Sequence, residues 1–178
     1  NFATPEEVKG MLDRMSELVE GWDPASSVEF RTDDGQEQKQ GSSNYFLDSA
    51  ENVSFFMDKG GLDLMKTGGR TKAQCLNKVG HDLHSKDPVF AKYSGSSKVA
   101  ALARALGWVD PVLPQSMYIF KQANGGDEVT AHQDSCFLHT EPRLTCLGLW
   151  LALQDATLDN GCIWARPGSH KEGLRRRF

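Results

Sequence analysis

Apolar residues first recur at helical spacing. Val8, Met11, Leu12, Met15, Leu18 and Val19 fall on one face of a 3.6-residue period. Thr4-Pro5-Glu6-Glu7 stands just ahead of this stripe. It predicts a helix start with Thr4 as N-cap, Pro5 at the first helical position and Glu7 as the reciprocal capping partner. Gly21 ends the run. The stripe is a packing face, and its methionines read as core filler.

From Trp22 to Asp48 the chain is polar and rich in Ser, Gln, Asp and Glu. That composition predicts a long surface loop, mobile or substrate-covering. Asn52 to Asp58 is a short apolar segment closed by Gly60-Gly61, a strand pattern. Leu62 to Lys72 holds a Gly68-Gly69 turn and no clear period. His81 and His84 stand three apart, the spacing of one helix face, and capping or core hydrogen bonding explains them better than metal. Asp87-Pro88 begins a short helix. Ser96 or Ser97 caps a further one, with Val99, Leu102, Ala103 and Leu106 as its stripe and Gly107 as its stop.

After Pro111 and Pro114 the period changes from helical to extended. Ser116–Gln122, Glu128–Leu138, Leu144–Gln154 and Cys162–Arg166 read as strands. Asn124-Gly125-Gly126-Asp127, Glu141-Pro142 and Asp159-Asn160-Gly161 separate them as turns. Helices first and antiparallel strands after make an α+β chain. Four strands are half of an eight-stranded jelly roll. A single domain over residues 1–178 is expected, with a helical and loop-rich part over 1–110 and the first strands of the sheet over 111–178.

Composition narrows the function. Hydrophobic content of 39% and charged content of 25% suit a globular chain with a real core. A net charge of -4 argues against nucleic acid as a partner, which wants a basic face. The basic run Arg175-Arg176-Arg177 at the end of the chain reads as solvated. No apolar stretch approaches the ~20 residues of a membrane span. Cys75, Cys136, Cys146 and Cys162 are widely spaced, and three lie in apolar runs, so a reduced protein is expected rather than a disulfide scaffold. Cytoplasm and a monomer are the default expectations.

The chemistry concentrates at His132-Gln133-Asp134. On a strand, residues i and i+2 share a side, so His132 and Asp134 reach one metal ion while Gln133 faces away. A His and a carboxylate are two members of the facial triad that holds non-heme Fe(II) and leaves positions open for substrate and oxygen. A structural zinc site from His81, His84 and the cysteines lacks the short paired ligand spacings zinc requires.

Several pieces then follow in order: Gln115 to Gln122, His132 to Asp134, Leu147-Gly148-Leu149-Trp150-Leu151-Ala152-Leu153, Asp159-Asn160-Gly161-Cys162-Ile163-Trp164, and Pro167-Gly168-Ser169-His170. With Leu76 to His84 and Asp87 to Phe90, the set resembles the phytanoyl-CoA dioxygenase family over nearly the whole chain. The resemblance implies a double-stranded β-helix (a cupin-like jelly roll) buttressed by N-terminal helices. It implies an Fe(II)/2-oxoglutarate-dependent dioxygenase that hydroxylates a small or acyl-type substrate while O2 and 2-oxoglutarate yield succinate, with ascorbate as reductant. His132 and Asp134 fall on the first two iron ligands. Lys78, Met117, Gln133 and Trp150 fall on positions lining the 2-oxoglutarate pocket. A cation such as Lys78 suits a dicarboxylate. In related halogenases a small residue stands where Asp134 does, so the aspartate implies hydroxylation.

The family's third ligand is a distant downstream His, followed by an Arg that grips the distal carboxylate of 2-oxoglutarate. After Asp134 this chain has only His139 and His170. Strand parity puts His139 on the opposite side, and the Pro-Gly-Ser-His stretch is a turn element in the family. The expectation is therefore a C-terminally truncated domain with about half of the β-core. Its alternative is an inactive truncated form serving as a 2-oxoglutarate/metal-binding or interaction module.

Overall fold

The structure, a computed structural model, describes residues 2–30, 43–123, 125–126 and 128–176. The middle of the expected surface loop (31–42), Asn124 and Asp127 of the expected turn, and Arg177 lie outside the described residues. The chain divides into two compact units, Asn1–Glu128 and Val129–Phe178.

In the first unit, α1 spans Pro5–Gly21 with the predicted capping box: Glu7 N–H donates to Thr4 Oγ1 at 3.2 Å, and Thr4 N–H to Glu7 Oε2 at 2.7 Å. Met11, Met15 and Val19 are its buried face. The helix packs against α5 (Pro88–Ser94), and one ion pair locks the contact. Asp87 is the N-cap of α5, accepting from the N–H groups of Val89 and Phe90, while its other oxygen accepts from Arg14 Nε at 2.7 Å. Arg14 is held in its charged form first by Asp87 and then by Glu17. Asp87 is 2% exposed. Asp87→Ala therefore removes two cap bonds and one of the two carboxylates that Arg14 meets, Glu17 remaining at 2.8 Å, and an equilibrium urea titration is expected to show a loss of about 2 kcal/mol.

A four-stranded sheet runs in the order β1 (Val28–Glu29), β2 (Val53–Met57), β3 (Leu76–His81) and β4 (Ser116–Ile119). β1 pairs parallel to β2, and the other neighbours are antiparallel. The strand expected at Asn52–Asp58 and the start of the one expected at Ser116–Gln122 are thus present. The loop from Trp22 to Asp48 holds more order than its polarity suggests: it includes β1 and the short helix α2 (Asn44–Asp48). Trp22 stacks on Phe55 at 5.1 Å, tying that loop to β2. A further helix, α3 (Gly61–Lys66), follows β2 where no period was evident. β3 is the strand whose pattern misleads. It is a central strand buried on both faces, though Asn77, Lys78 and His81 interrupt its apolar run. His81 therefore ends a strand, and His84 lies in the short helix α4 (Leu83–Lys86), so the shared helix face does not form. α5 and α6 (Ser97–Ala105) begin at Asp87 and Ser96 as expected, and Gly107 takes the positive φ (+100°) that stops α6.

The second unit differs from its expected strands. Among the described residues from Val129 onward no ladder forms, and short 3-10 turns at Asp134–Cys136 and Ser169–Lys171 are its regular elements. The physical reason is pairing: an extended segment becomes a strand only when a neighbour answers its N–H and C=O groups. Large side chains in those segments accordingly stay exposed, Trp150 at 55% and Trp164 at 81%, while the small Cys136 is buried. All four cysteines are free. Among the described residues, no helix is long and apolar enough to cross a membrane.

Candidate functional site

In the second unit, His132 and Asp134 come together. His132 Nε2 lies 3.4 Å from Asp134 Oδ1. Two donors about 2.1 Å from one ion and at right angles around it stand roughly 3 Å apart, so this separation fits a shared metal. His132 Nδ1 is 2.8 Å from the Thr130 carbonyl oxygen, an acceptor that orients the ring with Nε2 toward Asp134. The other Asp134 oxygen points toward Gly148, where a Cβ would come within 3.3 Å of Oδ2. Sequence reasoning named Gly148 only as part of a motif; in the structure its missing side chain leaves room for the Asp134 carboxylate.

The remaining positions in this unit are arranged differently. The Gln133 side chain turns to the backbone, donating to the Gly173 carbonyl and accepting from the Arg175 N–H, both at 2.9 Å. That agrees with its facing away from the His132–Asp134 side. Trp150 is exposed. His139 Nε2 lies 3.3 Å from Glu141 Oε1, and His170 sits on an exposed 3-10 turn. Among the described residues, no three His, Cys, Asp or Glu side chains are grouped as a metal site, so the structure brings together two iron-ligand candidates and no third.

In the first unit, β3 and β4 carry the other two candidates. Lys78 is 7% exposed, and its ammonium lies 3.2 Å from the centroid of the Phe30 ring and 5.6 Å from that of Phe56. Its Nζ also lies 4.0 Å from Met117 Sδ on β4. Burial drives its pKa down from 10.5 to about 7. Gly80 is opposite Met117 in the ladder, and a Cβ there would come within 3.2 Å of Met117 Cγ and of the Ser116 carbonyl oxygen. Gly80 thus seats Met117 against the lysine. His81 is buried beside the same ring, 5.4 Å from Phe56. Ser49 Oγ donates to the Phe46 carbonyl, so His81 Nδ1–H donates to Ser49 Oγ at 2.7 Å and the ring is neutral. Burial and then the Lys78 charge hold its pKa down to about 4.

A family model described as Phytanoyl-CoA dioxygenase (PhyH) matches residues 1–178, the whole chain. The chain belongs to the phytanoyl-CoA dioxygenase family. "Phytanoyl-CoA dioxygenase 1" of Oryza sativa subsp. japonica is 49% identical over 178 residues, covering 100% of this chain and 62% of the relative. "Phytanoyl-CoA dioxygenase" of Arabidopsis thaliana is 47% identical over the same 178 residues, again covering 100% and 62%. "Phytanoyl-CoA dioxygenase domain-containing protein 1" of Mus musculus is 46% identical over 180 residues, covering 99% of this chain and 62% of that protein. The chain thus spans less than two thirds of the length of these relatives. Non-heme iron is held by imidazole and carboxylate donors, the two types that His132 and Asp134 bring to 3.4 Å of each other.

Proposed function

We propose that this protein is an Fe(II)- and 2-oxoglutarate-dependent oxygenase that hydroxylates a small or acyl-type substrate. The observation that carries this reading is the pair of His132 Nε2 and Asp134 Oδ1, 3.4 Å apart in a chain of this family. His132 and Asp134 would hold the iron, with a third ligand completing the triad. Bound there with its co-substrates, the iron supplies the oxidising chemistry: 2-oxoglutarate is decarboxylated to succinate while oxygen is delivered to a C–H bond.

The chain's own residues do the positioning. The Thr130 carbonyl accepts at His132 Nδ1 and orients the ring with Nε2 toward Asp134. Gly148 gives the Asp134 carboxylate its space. Lys78 offers a buried cation to a carboxylate of the dicarboxylate co-substrate, with Met117 beside it. By the family resemblance Gln133, through its backbone, and Trp150 are also assigned to contact with 2-oxoglutarate. The jelly roll is the fold this reading requires, with Glu128–Leu138, Leu144–Gln154 and Cys162–Arg166 taking strand form once paired. The relatives' names point to an acyl-CoA as one substrate class.

The test is an assay of the full-length protein with Fe(II), O2 and 2-oxoglutarate, run with and without ascorbate. Succinate formation that depends on iron is the expected result. Its complete absence from folded, iron-loaded protein overturns the proposal.

A further inference from the structure

Buried lysines ordinarily face a carboxylate, because an isolated ammonium is costly to remove from water. Lys78 faces rings and a thioether instead. Phe30 follows β1 directly, β2 contributes Phe56 and β4 contributes Met117. The charged groups of these elements are turned elsewhere. Glu29 on β1 accepts from the Gly60 N–H at 2.8 Å. Asp58, just after β2, accepts from Asn77 and pairs with Arg70. β4 carries no charged residue between Ser116 and Ile119. On β3 itself, His81 is the titratable neighbour and its proton is committed to Ser49.

We propose that Lys78 is a proton-linked anion receptor: unliganded, its amine sheds its proton, and it regains one as a dicarboxylate binds. The inference rests on the co-substrate role given to Lys78 above and adds regulation by pH to it. The balance is simple. One proton moves from solvent to Nζ for each ligand bound, and the ammonium so formed pairs with the ligand carboxylate. The cation–π contact with Phe30 favours the charged form, but desolvation opposes it and wins, leaving the free amine titrating near neutrality with a pKa of about 7. His81, pushed to about 4, stays neutral across the range where Lys78 changes.

The expected effect follows from the competent fraction. A receptor that binds only when protonated weakens in proportion to that fraction, so 2-oxoglutarate affinity falls about 10-fold from pH 6 to pH 8. At pH 8 roughly 0.9 proton is taken up per ligand by the same fraction. The experiment is calorimetry on the full-length protein at pH 8 with 2-oxoglutarate and Mn(II) in place of iron. It is run in two buffers of different ionisation enthalpy, which reads proton uptake directly, and repeated at pH 6. Lys78→Arg is the paired variant, because an arginine keeps its charge. Uptake near one proton in the wild type, lost in Lys78→Arg while binding persists, supports the proposal. Binding without uptake, or uptake unchanged in Lys78→Arg, overturns it and leaves the oxygenase reading standing. If the folded wild type fails to bind 2-oxoglutarate at all, both fall together. Lysine-selective NMR on the wild type gives a second reading: the Lys78 ζ signal should titrate near neutrality when free and above pH 8 when liganded.

Discussion

Asp134→Ala in the full-length protein is expected to abolish iron-dependent succinate formation and to lower iron affinity with it. Asp134 is half of the candidate ligand pair, its Oδ1 3.4 Å from His132 Nε2. Removing a first-hand ligand costs more than the roughly 10–100-fold that loss of an outer partner costs. The loss should therefore exceed that range. Gly148→Ala provides the graded comparison. A Cβ there meets Asp134 Oδ2 at 3.3 Å, so the carboxylate must shift by a few tenths of an ångström, and a 10–100-fold loss is expected. The pair should rank in that order in both succinate yield and bound iron. Circular dichroism separates a lost ligand from a lost fold: Asp134 is exposed and outside the core, so its alanine variant should fold normally. Undiminished succinate formation by Asp134→Ala would remove Asp134 from the site.

What could be read from the chain depended on how local its cause was. α1 was fully legible, since its cap, first-turn proline and apolar stripe all lie within 17 helical residues and one flanking threonine. The pairing of His132 with Asp134 was legible too, because extended backbone of any kind puts i and i+2 on one side. β3 was not. Its Lys78 and His81 break the pattern of a buried strand, so no strand was expected there, although the core hydrogen bonding preferred for His81 is what Ser49 supplies. Those are the residues a site would place inside a core, and sites are where local rules give way. The setting of Lys78 was likewise hidden. Phe30, Phe56 and Met117 reach it from three other strands or their ends, at separations no local pattern records. The Thr130 carbonyl contact lies two residues from His132, yet a backbone acceptor leaves no mark in the sequence.

Lys78→Met is expected to stabilise the ligand-free protein while removing its grip on the dicarboxylate. Methionine has similar length and no charge, so it can lie against Phe30 and Phe56 without desolvating an ammonium. The depression of the lysine from 10.5 to about 7 corresponds to roughly 4–5 kcal/mol. That figure is already net of the cation–π contact, so a gain of about 4 kcal/mol is expected for the variant at pH 7. The pH dependence carries a definite sign. Between about pH 7 and pH 10.5 the unfolded chain holds a proton on this lysine that the folded chain has released. Wild-type stability therefore rises with pH across that window, and the penalty is fully present below it. Lys78→Met lacks this dependence. Urea titrations of both proteins at pH 7 and pH 10 should show the variant well ahead at the lower pH and the two converging at the higher one. Equal stabilities at pH 7 would mean the ammonium is solvated or paired, and Lys78 would not be the proton-linked receptor inferred for it. A gain in stability bought with loss of 2-oxoglutarate binding is the trade expected where a buried charge is kept for its ligand.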